Sequence, residues 1–215
     1  QYIYRMPGSS LRYPILDDGS ETIYNMSTFS SNGDAVGGRS KKKTPEEIAD
    51  SIKKARLEKM QHINLAIVID GTSSMEPYYP AVKDAIKEGL QFFKDGYKIK
   101  VGVVIYRDYD DGDGLCEICP MTAINNIERV NQFLDSGGDY GVGKHTSSDK
   151  TNEEALFYGI NMALDTLRFN DGESNMMLVV GDCGNAANDD KCASEAEIIA
   201  KMSKHNIHPM SFQVQ

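Results

Sequence analysis

The chain has 215 residues, 40% hydrophobic and 26% charged, which suits one medium-sized domain with extensions and a core that forms without disulfides. A net charge of −9 repels a phosphate backbone and excludes nucleic acid as a natural partner. No run of about eighteen apolar residues occurs, so the sequence carries no membrane span.

Residues 1–43 are polar, rich in Ser, Gly, Tyr and Asp, and show no sustained apolar period. They read as an extended or disordered arm; alternatively Tyr2, Tyr4, Tyr13 and Tyr24 pin it to a surface as edge strands. Asn25-Met26-Ser27 fits a glycosylation pattern too short to carry weight. Thr44-Pro45-Glu46-Glu47 has the features of a helix start: a capping hydroxyl, a first-turn proline and a glutamate that completes a capping box. Ile48, Ile52 and Ala55 continue at helical spacing, which predicts an N-terminal helix over 44–61.

From Ile63 the pattern becomes regular, and 62–215 reads as one domain. INLAIVID is a near-continuous apolar run, as in a strand buried on both faces. Tyr79 to Phe93 places Val82, Ile86, Leu90 and Phe93 on one helical face. KIKVGVVIY is a second strand, AINNIERVNQFL and EEALFYGINMALDTL are amphipathic helices, and NMMLVVGD is a third strand. A helix over SEAEIIAKMSKHN and a strand over IHPMSFQV close the pattern. Alternating strands and helices predict an α/β fold: a doubly wound, mostly parallel sheet flanked by helices. The ending on a strand, and the opening on Gln1, lead to the expectation of a fragment or a mature product.

In such sheets ligands bind beyond the carboxyl ends of the strands. Asp70 and Asp182 both stand there. In Asp70-x-Thr72-x-Ser74, alternate residues of an extended turn point one way, so a carboxylate and two hydroxyls converge. Such an oxygen set suits a hard cation, since Mg²⁺ accepts two or three protein oxygens and keeps waters. Gly71 is expected to permit the bend.

DGTSSM at the end of the first strand resembles the metal-ion-dependent adhesion site of von Willebrand factor A (VWA) domains, whose pattern is Asp-x-Ser-x-Ser, with Thr72 here in the middle position. Lys150-Thr151-Asn152-Glu153-Glu154-Ala155-Leu156 matches the family's threonine before its third main helix, and Val179-Val180-Gly181-Asp182 matches its second aspartate. The resemblance implies a metal held by Asp70, Thr72, Ser74, Thr151 and Asp182, namely Mg²⁺, or Mn²⁺ or Ca²⁺. It also implies a protein partner that supplies an acidic residue to the metal. Cys183 departs from the family, which often has glycine there. Over its whole length the chain is similar to the TssR proteins of Bacteroidota type VI secretion. That implies an extracytoplasmic, periplasmic location within a membrane-associated complex.

Three readings of function follow: an interaction module, a scaffold domain whose metal only stabilises loops, and a metal-assisted phosphohydrolase. The last lacks a legible base, and no catalytic residue is assigned. Other signals are weaker. Gly138 to His145 nearly spells a phosphate-binding loop, but His145 stands where Ser or Thr is needed and no strand precedes Gly138. The aspartyl-phosphatase motif fails because Val68 occupies the nucleophile position. Asp108 to Gly114 reads as a solvated acidic turn, with Gly112 and Cys119 where a calcium loop needs oxygens. His62, His145, His205 and His208 are scattered. Cys116, Cys119, Cys183 and Cys192 form two local pairs. These fit two disulfides in an oxidising compartment, with free thiols, zinc or a redox pair as alternatives.

Overall fold

The structure, a computed structural model, describes residues 44–93, 97–143, 154–186, 189 and 191–214. The arm over 1–43, Lys144, His145 and Thr151 lie outside those residues. The chain divides into two units, 1–54 and 55–215. The described part of the first opens helix α1 (Pro45–Gln61). Its expected capping box is formed: the Thr44 N–H donates to Glu47 Oε2 at 2.8 Å, and the Glu47 N–H donates to Thr44 Oγ1 at 3.2 Å.

The second unit runs β1 (His62–Asp70), α2 (Tyr79–Phe92), β2 (Lys98–Tyr106), β3 (Cys116–Ala123), α3 (Glu128–Ser136), α4 (Leu156–Thr166), β4 (Ser174–Gly181), α5 (Glu195–Lys204) and β5 (Ile207–Gln213). The strands form one sheet in the order β3-β2-β1-β4-β5. All neighbours are parallel except β2 and β3. Side chains alternate across β1: Ile67 and Ile69 pack with Ile86 of α2 and Leu134 of α3, whereas Ala66 and Val68 pack with Ile160 of α4 and Ile198 of α5. Burial on both faces is why these strands read as unbroken apolar runs. Each fully buried large aliphatic contributes roughly 1.5–3 kcal/mol, so β1 and β2 anchor the sheet.

The same alternation fixes the site. Asp70 is two residues on from Val68 and so falls on the α4 side of the sheet, as does Tyr106 at the end of β2. The chain leaves β1 for one face of the sheet and β4 for the other, and these two strands are neighbours. The carboxyl ends of β1 and β4 therefore flank the topological switch point, where open α/β sheets hold ligands.

Three expectations are corrected. Residues Cys116–Ala123, to most of which the sequence pattern assigns no element, form the antiparallel edge strand β3. The helix expected from Ala123 starts later, because one 3₁₀ turn over Ile124–Asn126 precedes α3. The disulfide expectation also fails, since all four cysteines are free thiols. Cys116 and Cys119 sit three residues apart on one strand, about 10 Å along it, beyond the reach of a disulfide. They also face opposite cores, Cys119 toward α2 and α3 and Cys116 toward the α4 side. Burial pushes the Cys116 thiol up to about 12.

Beyond β2, the fully buried Arg107 ties three segments together. It donates to the carbonyls of Gly114 at 2.6 Å, Gly141 at 3.0 Å and Gly137 at 3.2 Å, and to Glu117 Oε2 at 2.8 Å. Glu117 Oε1 accepts from the N–H groups of Asp139 and Tyr140. The described part of the glycine-rich stretch that nearly spells a phosphate loop, Gly138 to Gly143, is thus a turn with left-handed glycines at Gly138, Gly141 and Gly143, closed around an ion pair. The N–H groups of Asp139 and Tyr140 serve that carboxylate. The turn reaches the strand end directly, where the Gly143 N–H donates to Gly71 O at 3.0 Å.

Candidate metal centre

Asp70 is fully buried and Thr72 is 3% exposed. Asp70 Oδ1 accepts from the Thr72 N–H at 2.9 Å and from Thr72 Oγ1 at 2.6 Å. Thr72 Oγ1 lies 3.1 Å from Ser74 Oγ, and Ser74 is exposed. The three predicted oxygens of this turn therefore form a chain from core to solvent. Met75, 0% exposed, anchors the turn, and its N–H donates to Thr72 O at 3.2 Å. Gly71 serves close approach: a Cβ there would stand 2.5 Å from the Ile105 side chain.

Asp182 follows β4 directly and interacts with Asp70. Burial pushes Asp70 up to about 7; the two Thr72 hydrogen bonds oppose this and the Asp182 carboxylate adds to it. A Cβ on Gly181 would meet Tyr106 OH at 3.0 Å, Asp70 Cβ at 3.2 Å and Asp70 Oδ2 at 3.4 Å. Glycine at the end of β4 thus leaves the space between Asp70 and Tyr106 open. Cys183 neighbours Asp182; burial first, then that carboxylate, pushes its thiol up to about 11.

A further acid enters from the segment before α4. Glu154 is 5% exposed. Its backbone pairs with the segment after β4: the Glu154 N–H donates to Gly184 O at 3.1 Å and the Ala186 N–H donates to Glu154 O at 2.9 Å. Asn185 Oδ1 accepts from the Phe157 N–H at 2.7 Å, so a side chain from the β4 exit caps α4. Burial first, then a hydrogen bond shared with Asp108, then the charges of Asp70 and Asp182 push Glu154 up to about 9.

Among the described residues, six buried side-chain polar atoms have no hydrogen-bond partner, and four belong to this rim: Asp70 Oδ2, Tyr106 OH, Glu154 Oε2 and Asp182 Oδ1. Tyr106 feels the charges of Asp70, Glu154 and Asp182, which places all four groups in one neighbourhood. Buried polar atoms without partners are rare, and an ion or its waters is one reason for them. The orphaned oxygens of Asp70 and Asp182 beside a hydroxyl chain suit a hard divalent cation. No group of three or more His, Cys, Asp or Glu side chains among the described residues is placed to hold a metal. The fit therefore depends on hydroxyls and water beside two carboxylates.

A family model described as the TssR protein VWA domain matches residues 47–215. The chain belongs to that family. It is accordingly a VWA domain, a module of protein interaction. No curated protein matches the chain in sequence. Among solved structures, proximal thread matrix protein 1 from the mussel byssus, in a form with a zinc-occupied metal-ion-dependent adhesion site, matches 71% of this chain and 35% of its own at 14% identity and a TM-score of 0.51. That likeness bears on fold. BatB from Bacteroides thetaiotaomicron matches 70% of this chain and 66% of its own, at 17% identity and a TM-score of 0.48. The pilus adhesin SpaC from Lactobacillus rhamnosus GG matches 56% of this chain, at 17% identity and a TM-score of 0.43. The chain spans 14% of SpaC and about a third of the mussel protein.

Of the five site residues expected from the resemblance to VWA adhesion sites, the structure brings Asp70, Thr72, Ser74 and Asp182 to one rim. Thr151 lies outside the described residues, three positions before Glu154. Sequence reasoning missed Glu154, Asp108 and Tyr106. Glu154 was read as part of the helix, whereas α4 begins at Leu156 and Glu154 precedes it in a parallel bridge with Asn185. Nothing in residue type separates Glu154 from its neighbour Glu153. Asp108 belongs to the expected acidic turn, where it forms a capping box with Asp111. Among the described histidines, none is at this rim: His62 begins β1 beside Glu173, His205 follows α5 beside Asp171, and His208 lies in β5.

Proposed function

We propose that this domain binds a divalent cation at the carboxyl ends of β1 and β4 and uses it to join a protein partner. Asp70, Thr72, Ser74 and Asp182, with Thr151 from the preceding loop, would hold the ion. Mg²⁺ is the first choice and Mn²⁺ or Ca²⁺ the alternatives. The observation that carries this reading is the fully buried Asp70, with one oxygen engaged by Thr72, the other without a hydrogen-bond partner, and the Asp182 carboxylate as a neighbour. Two carboxylates nearly neutralise a divalent cation, so the ion stays attractive to one further anion. Ser74 opens this chain of oxygens to solvent, where an acidic side chain of the partner would complete the coordination.

The proposal extends to domain organisation and location. Residues 62–215 form the interaction domain, with an N-terminal helix over 44–61 and an arm over 1–43. The module is a non-enzymatic, extracytoplasmic part of a membrane-associated secretion assembly in the periplasm. Membership of the TssR family supports this; the free thiols lend it no support. In the described residues no helix is long and apolar enough to cross a membrane.

The depth of Asp70 favours a second reading, in which the ion only locks the loops. Isothermal titration with MgCl₂ and MnCl₂ tests the shared part: one ion per chain for wild type and none for Asp70→Ala. Binding of an acidic partner that survives Asp70→Ala while stability falls would decide for the scaffold reading. Absence of binding by wild type would end both.

A further inference from the structure

The rim holds more acid than the proposed ligand set uses. Glu154 is nineteen-twentieths buried, and its Oε2 has no partner. Its backbone is fixed on both sides to the segment following Asp182, through Gly184 and Ala186, so its position is set by the same loop that presents Asp182. Asp108, from the loop after β2, lies beside its carboxyl group. Four strand-end or helix-start segments therefore deliver one carboxylate each, and the charges of Asp70 and Asp182 are felt at Glu154.

The four acids are not equivalent. Asp70 and Asp182 adjoin one another and the hydroxyl chain. Glu154 and Asp108 lie beside one another on a different loop pair, one layer behind the two carboxylates of the proposed ligand set. A buried carboxylate with an unpaired oxygen costs desolvation energy unless something donates to it. Waters on a divalent cation are strong donors, and Mg²⁺ in particular retains several. Carboxylates one layer behind the ligands fix such waters and tune affinity.

Building on the metal-binding reading above, we propose that Glu154, steadied by Asp108, is a positioning pair for the bound cation. It accepts hydrogen bonds from the cation's waters on the side facing α4, while Asp70 and Asp182 bind the ion itself. The pair closes the inner side of the site. The solvent side, at Ser74, is then the one free position, which directs the partner's acid there.

The test is Mn²⁺ titration of wild type, Glu154→Gln, Asp108→Asn and Asp70→Ala, with thermal unfolding of each in EDTA. Expected is a loss of roughly 10–100-fold in affinity for Glu154→Gln, a smaller loss for Asp108→Asn, and a midpoint in EDTA that does not fall for either. A merely structural role would lower the EDTA midpoint and leave affinity intact. Affinity of Glu154→Gln within about twofold of wild type, with Asp70→Ala still abolishing binding, would overturn the pair's role and spare the site. Absence of binding by wild type would overturn both. Should Glu154→Gln not fold, Asp108→Asn decides alone, because it leaves Glu154 and its backbone pairing in place.

Discussion

Arg107 and Glu117 meet at 2.8 Å with the guanidinium wholly shielded from solvent and the carboxylate nearly so. The pair carries the geometry of the rim, because Arg107 also holds the carbonyls of the glycine turn that reaches Gly71. A buried ion pair adds little net stability, but removing one partner strands the other.

Glu117→Ala should therefore destabilise the domain by about 3–5 kcal/mol. The partners left behind are Arg107 and the N–H groups of Asp139 and Tyr140. Urea unfolding measures this, and a change under about 1 kcal/mol would mean that Arg107 regains its contacts from solvent or backbone alone.

Asn185 caps α4 from the other side of the sheet's rim, at 2.7 Å from the Phe157 N–H. Asn185→Ala should cost about 1 kcal/mol, as for other lost caps. The loss would fall on the α4 entrance, so hydrogen exchange at Phe157 and Tyr158 should accelerate while exchange in β1 stays slow. Uniform acceleration through β1 would contradict a local cap.

Acidity gives a third prediction. Asp70 and Glu154 have folded values raised to about 7 and about 9, from 3.8 and 4.5, chiefly by burial. Between the unfolded and folded values the native state keeps a proton that the unfolded chain has released. The metal-free domain thus loses stability as pH climbs from about 4 toward 9, on the order of a few kcal/mol. A cation that binds the ionised acids reverses the slope, so added Mn²⁺ should stabilise more at pH 8 than at pH 5. Thermal unfolding across that range, with EDTA or with Mn²⁺, gives both slopes; equal Mn²⁺ shifts at the two pH values would argue against a carboxylate site.

Much of this was legible in the sequence. Strands β1, β2 and β4 are buried on both faces and announce themselves as apolar runs, and the rule that ligands sit at carboxyl ends led straight to Asp70 and Asp182. β3 was hidden because it is an edge strand. Its sequence CEICPMTA includes the exposed Pro120 and only one buried residue, so neither alternation nor an apolar run marks it. Glu154 was hidden for another reason. Its role comes from a bridge to Asn185, some thirty residues on, and no local pattern encodes a pairing across two loops.

The central claim is a cation between Asp70 and Asp182, and anomalous scattering from crystals grown with Mn²⁺ tests it most directly. The account predicts a single strong peak, about 2.0–2.6 Å from oxygens of Asp70, Asp182 or the hydroxyls of Thr72 and Ser74, with Glu154 on its waters. A map with no peak at that rim at millimolar Mn²⁺ would contradict it.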